Sequence, residues 1–229
     1  MAGGSVRLRA ARKSFVDLLE PPDRAFLEEI ARTQKFKKDE HLLEQGSAPD
    51  RLVIVQTGRV KVSSRSAAGT EAVLAIRGGG DILGEMSWVD NRPRSATVTA
   101  LTPVKALVLD PPLFAELLRR PAADQALRTV MVGRLRDADQ QRLQYGSGAS
   151  VTQRVATLLH GLIIEHGKWR DGHVVLDMEL SQEDLGRAVG ADRSSVNRSL
   201  SELSKQKILA TQRQRIVIFR PDELLHLGE

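Results

Sequence analysis

The 229-residue chain contains no cysteine. That absence excludes disulfides, thiolate nucleophiles, cysteine-ligated iron–sulfur clusters and zinc–thiolate sites. It also fits a cytoplasmic protein. No apolar run approaches the roughly 18 residues that would make a transmembrane candidate. The first residues, "MAGGSVRLRAARKSFVDLL", are basic but hold no apolar core ahead of a small-residue cleavage site. They read as a basic arm leading into a short helix, not as a signal peptide. The five histidines, at positions 41, 160, 166, 173 and 226, fall in no HExxH or comparable metal spacing. No nucleophile sits in a recognised motif, so no metal site is expected and an enzyme is the least supported class. Internal repeats and low-complexity tracts are missing too.

What is present is a chain of ordinary hydrophobic content, long enough for one large or two modest domains. Its formal charge of +5 makes a polyanion worth testing as a partner. Residues 36–109 read as β: alternating runs such as "RLVIVQTGRVKVSSRS", "EAVLAIRG" and "SATVTALTPVKALVLD" are separated by turn glycines. Short strands at regular spacing, with no helices between them, predict an antiparallel roll with room for one small ligand. After "DPPLFAELLRRP" the pattern is helical. From 122 to 145 the only glycine or proline is Gly133, and Met131, Leu135, Ala138, Arg142 and Tyr145 follow alternating four- and three-residue steps. That narrow seam suits a helix pairing with its own copy in a dimer, with a helix packed on the roll as the alternative. "YGSGAS" has hinge composition. The expected fold is α+β, in four segments. They are an arm with helices (1–35), a β-roll (36–110), a helical segment with the dimer helix (111–146) and a DNA-binding domain (147–229).

The most specific signal is "LSQEDLGRAVGADRSSVNRSLSELSKQKIL". Ser181, with Asp184 three residues on, marks a helix start, and Leu185, Ala188 and Val189 form its apolar face. Gly190 stops it in a left-handed turn. A second helix follows, with Val196, Leu200 and Leu203 inward. This is helix-turn-helix spacing. Arg193, Ser194, Ser195, Asn197 and Arg198 are left as groups able to reach base edges, with Ser181 and Gln182 at the start of the preceding helix. "ILATQRQRIVIFR" reads as a β-wing whose Arg213 and Arg215 suit flanking phosphates. Over 181–220 eight Lys/Arg face four Asp/Glu, a local +4.

In "GEMSWVDNRPRSATVTA", 84–100, Glu85 follows the opening glycine, and nine residues later Arg94 follows a proline. Arg94 can grip a phosphate with its fork, the backbone at Gly84, Glu85 and Met86 can offer amides if it begins a helical turn, and Ser95 adds a hydroxyl. Glu85 suits a sugar hydroxyl, because a carboxylate only accepts. Phosphate with ribose describes a nucleotide, and one arginine can neutralise a cyclic phosphodiester. On spacing alone, an ion pair between Glu85 and Arg94 with no ligand is the stronger reading.

From residue 36 to 220 the chain resembles the catabolite activator/fumarate–nitrate regulator family of bacterial transcription factors. "GEMSWVDNRPRSATVTA" is similar to the phosphate-binding cassette of cyclic-nucleotide domains. "QEDLGRAVG" and "VGADRSSVNRSL" resemble the family's helix-turn-helix, and 122–145 its dimerisation helix. The resemblance implies a homodimer on double-stranded palindromic DNA, with RNA polymerase as a further partner, no membrane, and cyclic AMP or another cyclic nucleotide as effector. Glu85 would then hold the ribose 2′-hydroxyl, Arg94 and Ser95 the cyclic phosphate. Two departures stand out. The family's adenine-binding threonine and serine or asparagine are replaced by Ala138 and Asp139. The cytosine-reading glutamate of the recognition helix is replaced by Ser194, so an altered half-site is expected there. The same architecture could answer to another effector or to none, and a haem-sensing member would need an axial ligand such as His41. A cyclic-nucleotide-binding regulatory subunit without DNA contact is disfavoured by 181–220.

Overall fold

The computed structural model describes residues 12–146, 148–177, 180–212 and 215–228; side chains of 144–146 are not described. The chain divides into two compact units, one of Lys13–Gln140 and the other comprising Gln141–Glu229.

The first unit opens with α1 (Phe15–Leu18), whose N-cap Ser14 forms a capping box with Asp17, and α2 (Pro21–Ile30), begun by proline at its first turn. The strands β1 (Arg32–Phe36), β2 (His41–Leu43), β3 (Leu52–Thr57), β4 (Val60–Arg65), β5 (Glu71–Arg77) and β6 (Ile82–Leu83) follow. Then come α3 (Glu85–Asp90), β7 (Thr97–Ala100), β8 (Val104–Leu109), α4 (Pro111–Leu117) and α5 (Pro121–Gly146), whose residues from Gln141 on belong to the second unit. The strands pair antiparallel in two four-stranded sheets, β1-β8-β3-β6 and β2-β7-β4-β5. Between them lies one core with Phe36, Leu42, Val53, Val55, Val60, Val98 and Ala106. A second core, with Phe15, Leu27, Leu52, Ile54, Phe114 and Leu117, joins the first sheet to the helices. This explains the unbroken apolar run "LVIV" in β3. Its even and odd residues serve different cores, so both faces must be apolar.

The roll is the one anticipated, but its first strand starts earlier than residue 36. In β1 only Phe36 is buried, so the strand lacks apolar alternation, and its pairing with β8 reveals it.

The first half of the long helix follows the alternative reading, a helix packed on a core. Ala123, Ala126, Leu127 and Val130 are buried in the second core, at the spacing of a helix lying on a core. Beyond them Val132, Leu135 and Leu143 are exposed, Leu135 by 59% and Leu143 by 73%.

The second unit contains α6 (Val151–His166), β9 (Lys168–Arg170), β10 (His173–Asp177), α7 (Gln182–Val189), α8 (Arg193–Lys205), β11 (Leu209–Gln212), β12 (Arg215–Ile218) and α9 (Pro221–Gly228). The hairpin β11–β12 extends through β10 to β9 in one antiparallel sheet of order β11-β12-β10-β9. Val155, Leu159, Leu185, Val196, Leu200, Leu203 and Ile218 are buried within this unit. Among the described residues no helix is long and apolar enough to cross a membrane.

Candidate effector site and nucleic-acid interface

Gly84 is where the cassette begins, and only glycine serves there. Its φ is +87°, and a Cβ would lie 2.6 Å from Arg94 Nη1. From this turn α3 starts at Glu85, and the Gly84 carbonyl at its N-cap is bonded to Arg94.

Arg94 and Glu85 are each only 3% exposed. Arg94 Nη1 donates to the Gly84 carbonyl at 2.9 Å, and Nη2 donates to the Arg51 carbonyl while lying 3.5 Å from Asp50. Burial pushes this guanidinium below its ordinary pKa, and Asp50 pulls it back. Arginine's ordinary value is high enough that it stays charged. Its Nε is buried without a hydrogen-bond partner among the described residues. A buried donor of this kind is costly unless something accepts from it.

The ion pair that spacing suggested between Glu85 and Arg94 is not the one formed. Glu85 pairs instead with Arg134 of α5, through Nη1 and Oε1. Arg134 Nη2 donates to the Ile82 carbonyl at 2.7 Å and lies 3.7 Å from Asp81. This ties α5 to the cassette. A carboxylate has about four lone-pair positions, so Glu85 can hold Arg134 and still accept a hydroxyl. Arg134, like the Arg51 carbonyl, was missed by sequence reading. Its one sequence signal is that it sits one helical turn before Ala138, on the same side of α5.

The other predicted effector residues are less enclosed. Ser95 and Met86 are exposed, Ala138 is half-buried and Asp139 exposed. His41 is exposed, with Nδ1 3.0 Å from the Thr99 hydroxyl. Among the described residues no three His, Asp or Glu side chains form a group that could hold a metal.

In the second unit the anticipated start and stop signals are in place. Ser181 caps α7, accepting the Asp184 amide at 3.0 Å and donating to its carboxylate at 2.7 Å. Its hydroxyl is therefore committed to the cap. Gly190 ends α7 at φ +63°. Asp192 then caps α8, where Arg193, Ser194 and Arg198 are exposed and Ser195 and Asn197 half-buried. Arg198 Nη2 donates to the Ser195 hydroxyl at 3.0 Å. Gln182 is half-buried. Arg215 is ion-paired with Asp177 across β10 and β12. Arg213 lies outside the described residues.

The cyclic nucleotide-binding domain family matches residues 33–121, and the Crp-like helix-turn-helix domain family matches residues 153–227. The chain is 29% identical to a CRP-like cAMP-activated global transcriptional regulator of Mycobacterium tuberculosis, over 93% of this chain and 96% of that one. It is 30% identical to the cyclic AMP receptor protein of Thermus thermophilus, over 72% and 73% of the two chains. FixK2 from Bradyrhizobium japonicum shares the fold with a TM-score of 0.76, at 22% identity over 87% of this chain and 98% of that one. The buried cassette and the capped helix pair thus fall within the two matched stretches, and the chain belongs to the CRP/FNR family: a DNA-binding transcription regulator carrying a cyclic nucleotide-binding domain, not an enzyme.

Proposed function

We propose that this protein is a homodimeric transcription regulator whose roll senses a cyclic nucleotide, cyclic AMP or cyclic GMP, and transmits occupancy to a palindromic operator in double-stranded DNA. The observation that carries the reading is Arg94, a buried guanidinium fixed by the Gly84 and Arg51 carbonyls with Nε left over, next to a buried Glu85. The fixed guanidinium binds and orients a phosphodiester, the first amides of α3 and the Ser95 hydroxyl support it, and Glu85 accepts from a ribose hydroxyl. Such a ligand supplies one negative charge and a sugar hydroxyl and does no chemistry of its own. Arg134 then reports the state of Glu85 to α5. The Mycobacterium tuberculosis relative is by name cAMP-activated, which agrees with this reading.

Dimerisation is supported by Val132, Leu135 and Leu143, apolar side chains exposed on the part of α5 that leaves the core. The segments 36–110, 111–146 and 147–229 act as effector domain, helical connector and DNA-binding domain. A regulator of this kind works in the cytoplasm, where the DNA lies, and through RNA polymerase, with no membrane partner.

A second reading keeps the architecture but replaces the effector or dispenses with it. It is favoured by Ala138 and Asp139, which lack a hydroxyl donor, and by the way Glu85 is already engaged by Arg134. Titration calorimetry with cyclic AMP and cyclic GMP separates the two. Saturable heat with either nucleotide supports the first reading; none at millimolar nucleotide hands the site to the second.

A further inference from the structure

The first turn of α8 contains a network that fixes the polarity of two hydroxyl groups. Asp192 accepts the Ser195 amide at 2.9 Å and the Ser194 hydroxyl on Oδ1, and the Ser195 hydroxyl at 2.8 Å on Oδ2. An ionised carboxylate offers only lone pairs, so both hydroxyl hydrogens are committed to it. The Ser194 hydroxyl foremost, then the Ser195 amide and hydroxyl, hold this exposed carboxyl far below the ordinary range, so it stays ionised at any working pH. Ser195 also accepts from Arg198. Ser194 is exposed, and with its hydrogen spent its oxygen presents only lone pairs.

We propose that Asp192 locks Ser194 as a hydrogen-bond acceptor, so that α8 reads an amino group, N4 of cytosine or N6 of adenine, on the base this serine faces. The inference rests on α8 being the helix that enters the major groove. A serine free to rotate serves donors and acceptors alike and so discriminates poorly. A serine whose hydrogen is spent pairs with an amino group and is repelled by guanine O6 and N7 or thymine O4. The glutamate that the family resemblance implies at this position would read cytosine by the same polarity. Asp192, two residues earlier, confers that polarity on a neutral hydroxyl. In place of the altered base expected from losing the carboxylate, the amino-bearing base is kept, with a smaller preference.

The test uses the full-length protein and an operator it selects from random duplexes. Each adenine or cytosine of a half-site is replaced in turn by purine or 2-pyrimidinone, which lack the major-groove amino group. Affinities are compared for wild type, Ser194→Ala and Asp192→Gly at one salt concentration, so that changes in the duplex itself cancel. At one position, losing the amino group should weaken wild type about threefold to tenfold, the worth of a neutral hydrogen bond. Ser194→Ala should lose nothing further there. Glycine at the N-cap costs a helix only about a few tenths of a kcal/mol, yet it removes the carboxylate oxygen that holds the Ser194 hydrogen. In Asp192→Gly the hydroxyl is free to rotate and the penalty should shrink. The inference is overturned if no amino group couples to Ser194, if Ser194 couples instead to guanine O6, guanine N7 or thymine O4, or if Asp192→Gly leaves the coupling unchanged. Failure of the wild type to select any DNA would remove the groove reading of α8 along with it, a separate and recognisable result.

Discussion

The effector cassette and the recognition helix both depend on arginine and treat it in opposite ways. Arg94 is buried and held by two backbone carbonyls, with Asp50 nearby, while Arg193 and Arg198 stand exposed on α8. A buried guanidinium is preorganised, because its solvent is already gone and its direction is set before any ligand arrives. Removing it strands its partners as well. An exposed guanidinium keeps most of its water, and Arg198 gives one bond to the Ser195 hydroxyl, so the contribution of such a group is smaller, local and salt-sensitive. On the proposed function, the cassette would answer yes or no and the helix would sum many small preferences.

Arg94→Leu should give the largest effect. Cyclic-nucleotide binding should vanish in calorimetry, while circular dichroism stays native. Unpairing the Gly84 and Arg51 carbonyls should cost about 1–3 kcal/mol of stability in denaturant melts. Undiminished nucleotide binding in this variant would break the contrast between the two sites. Glu85→Ala should be milder, weakening binding by about 1.5–3 kcal/mol, the worth of a hydrogen bond to a charged group. Arg134 keeps the Ile82 carbonyl and Asp81 as partners, which limits the damage.

Arg193→Ala should cost about 1–3 kcal/mol at particular base positions, with half-sites about one helical turn (roughly 10 bp) apart. Competition between the selected operator and random duplexes measures this, and a uniform loss would assign Arg193 to phosphate alone. Arg215→Ala should be the smallest effect, because its guanidinium is already shared with Asp177. Affinity should fall evenly for all sequences, and the slope of log affinity against log salt should flatten by about one or less. A change in sequence preference would make Arg215 a base reader.

Sequence was informative wherever local chemistry is self-contained. Ser181, Asp184 and Gly190 mark a helix start and stop within a few residues, and the glycine, glutamate and arginine of the cassette lie in one short segment. Interactions closed by distant chain were not legible. The pair between Glu85 and Arg134 joins residues 49 positions apart, and the Arg51 carbonyl has no side-chain signature at all. β1 escaped for a related reason: its exposed polar residues carry no alternation, and its partner β8 defines it. The Asp192 network was within reach, since Asp–x–Ser–Ser is local. Read as base contacts alone, however, those serines hid their bonds to the cap.

If roll occupancy changes DNA affinity, titration of one operator with and without cyclic nucleotide at fixed salt will show it. A ligand shifts such an equilibrium only by its differential affinity for two states, and if the family's base contact falls at Ala138 and Asp139, these residues remove part of that difference. Affinity should rise with nucleotide by a factor at or below the low end of the roughly 5–150-fold typical of such coupling. That rise should grow in Ala138→Thr with Asp139→Asn and disappear in Arg94→Leu. Identical affinities with and without either nucleotide would contradict it.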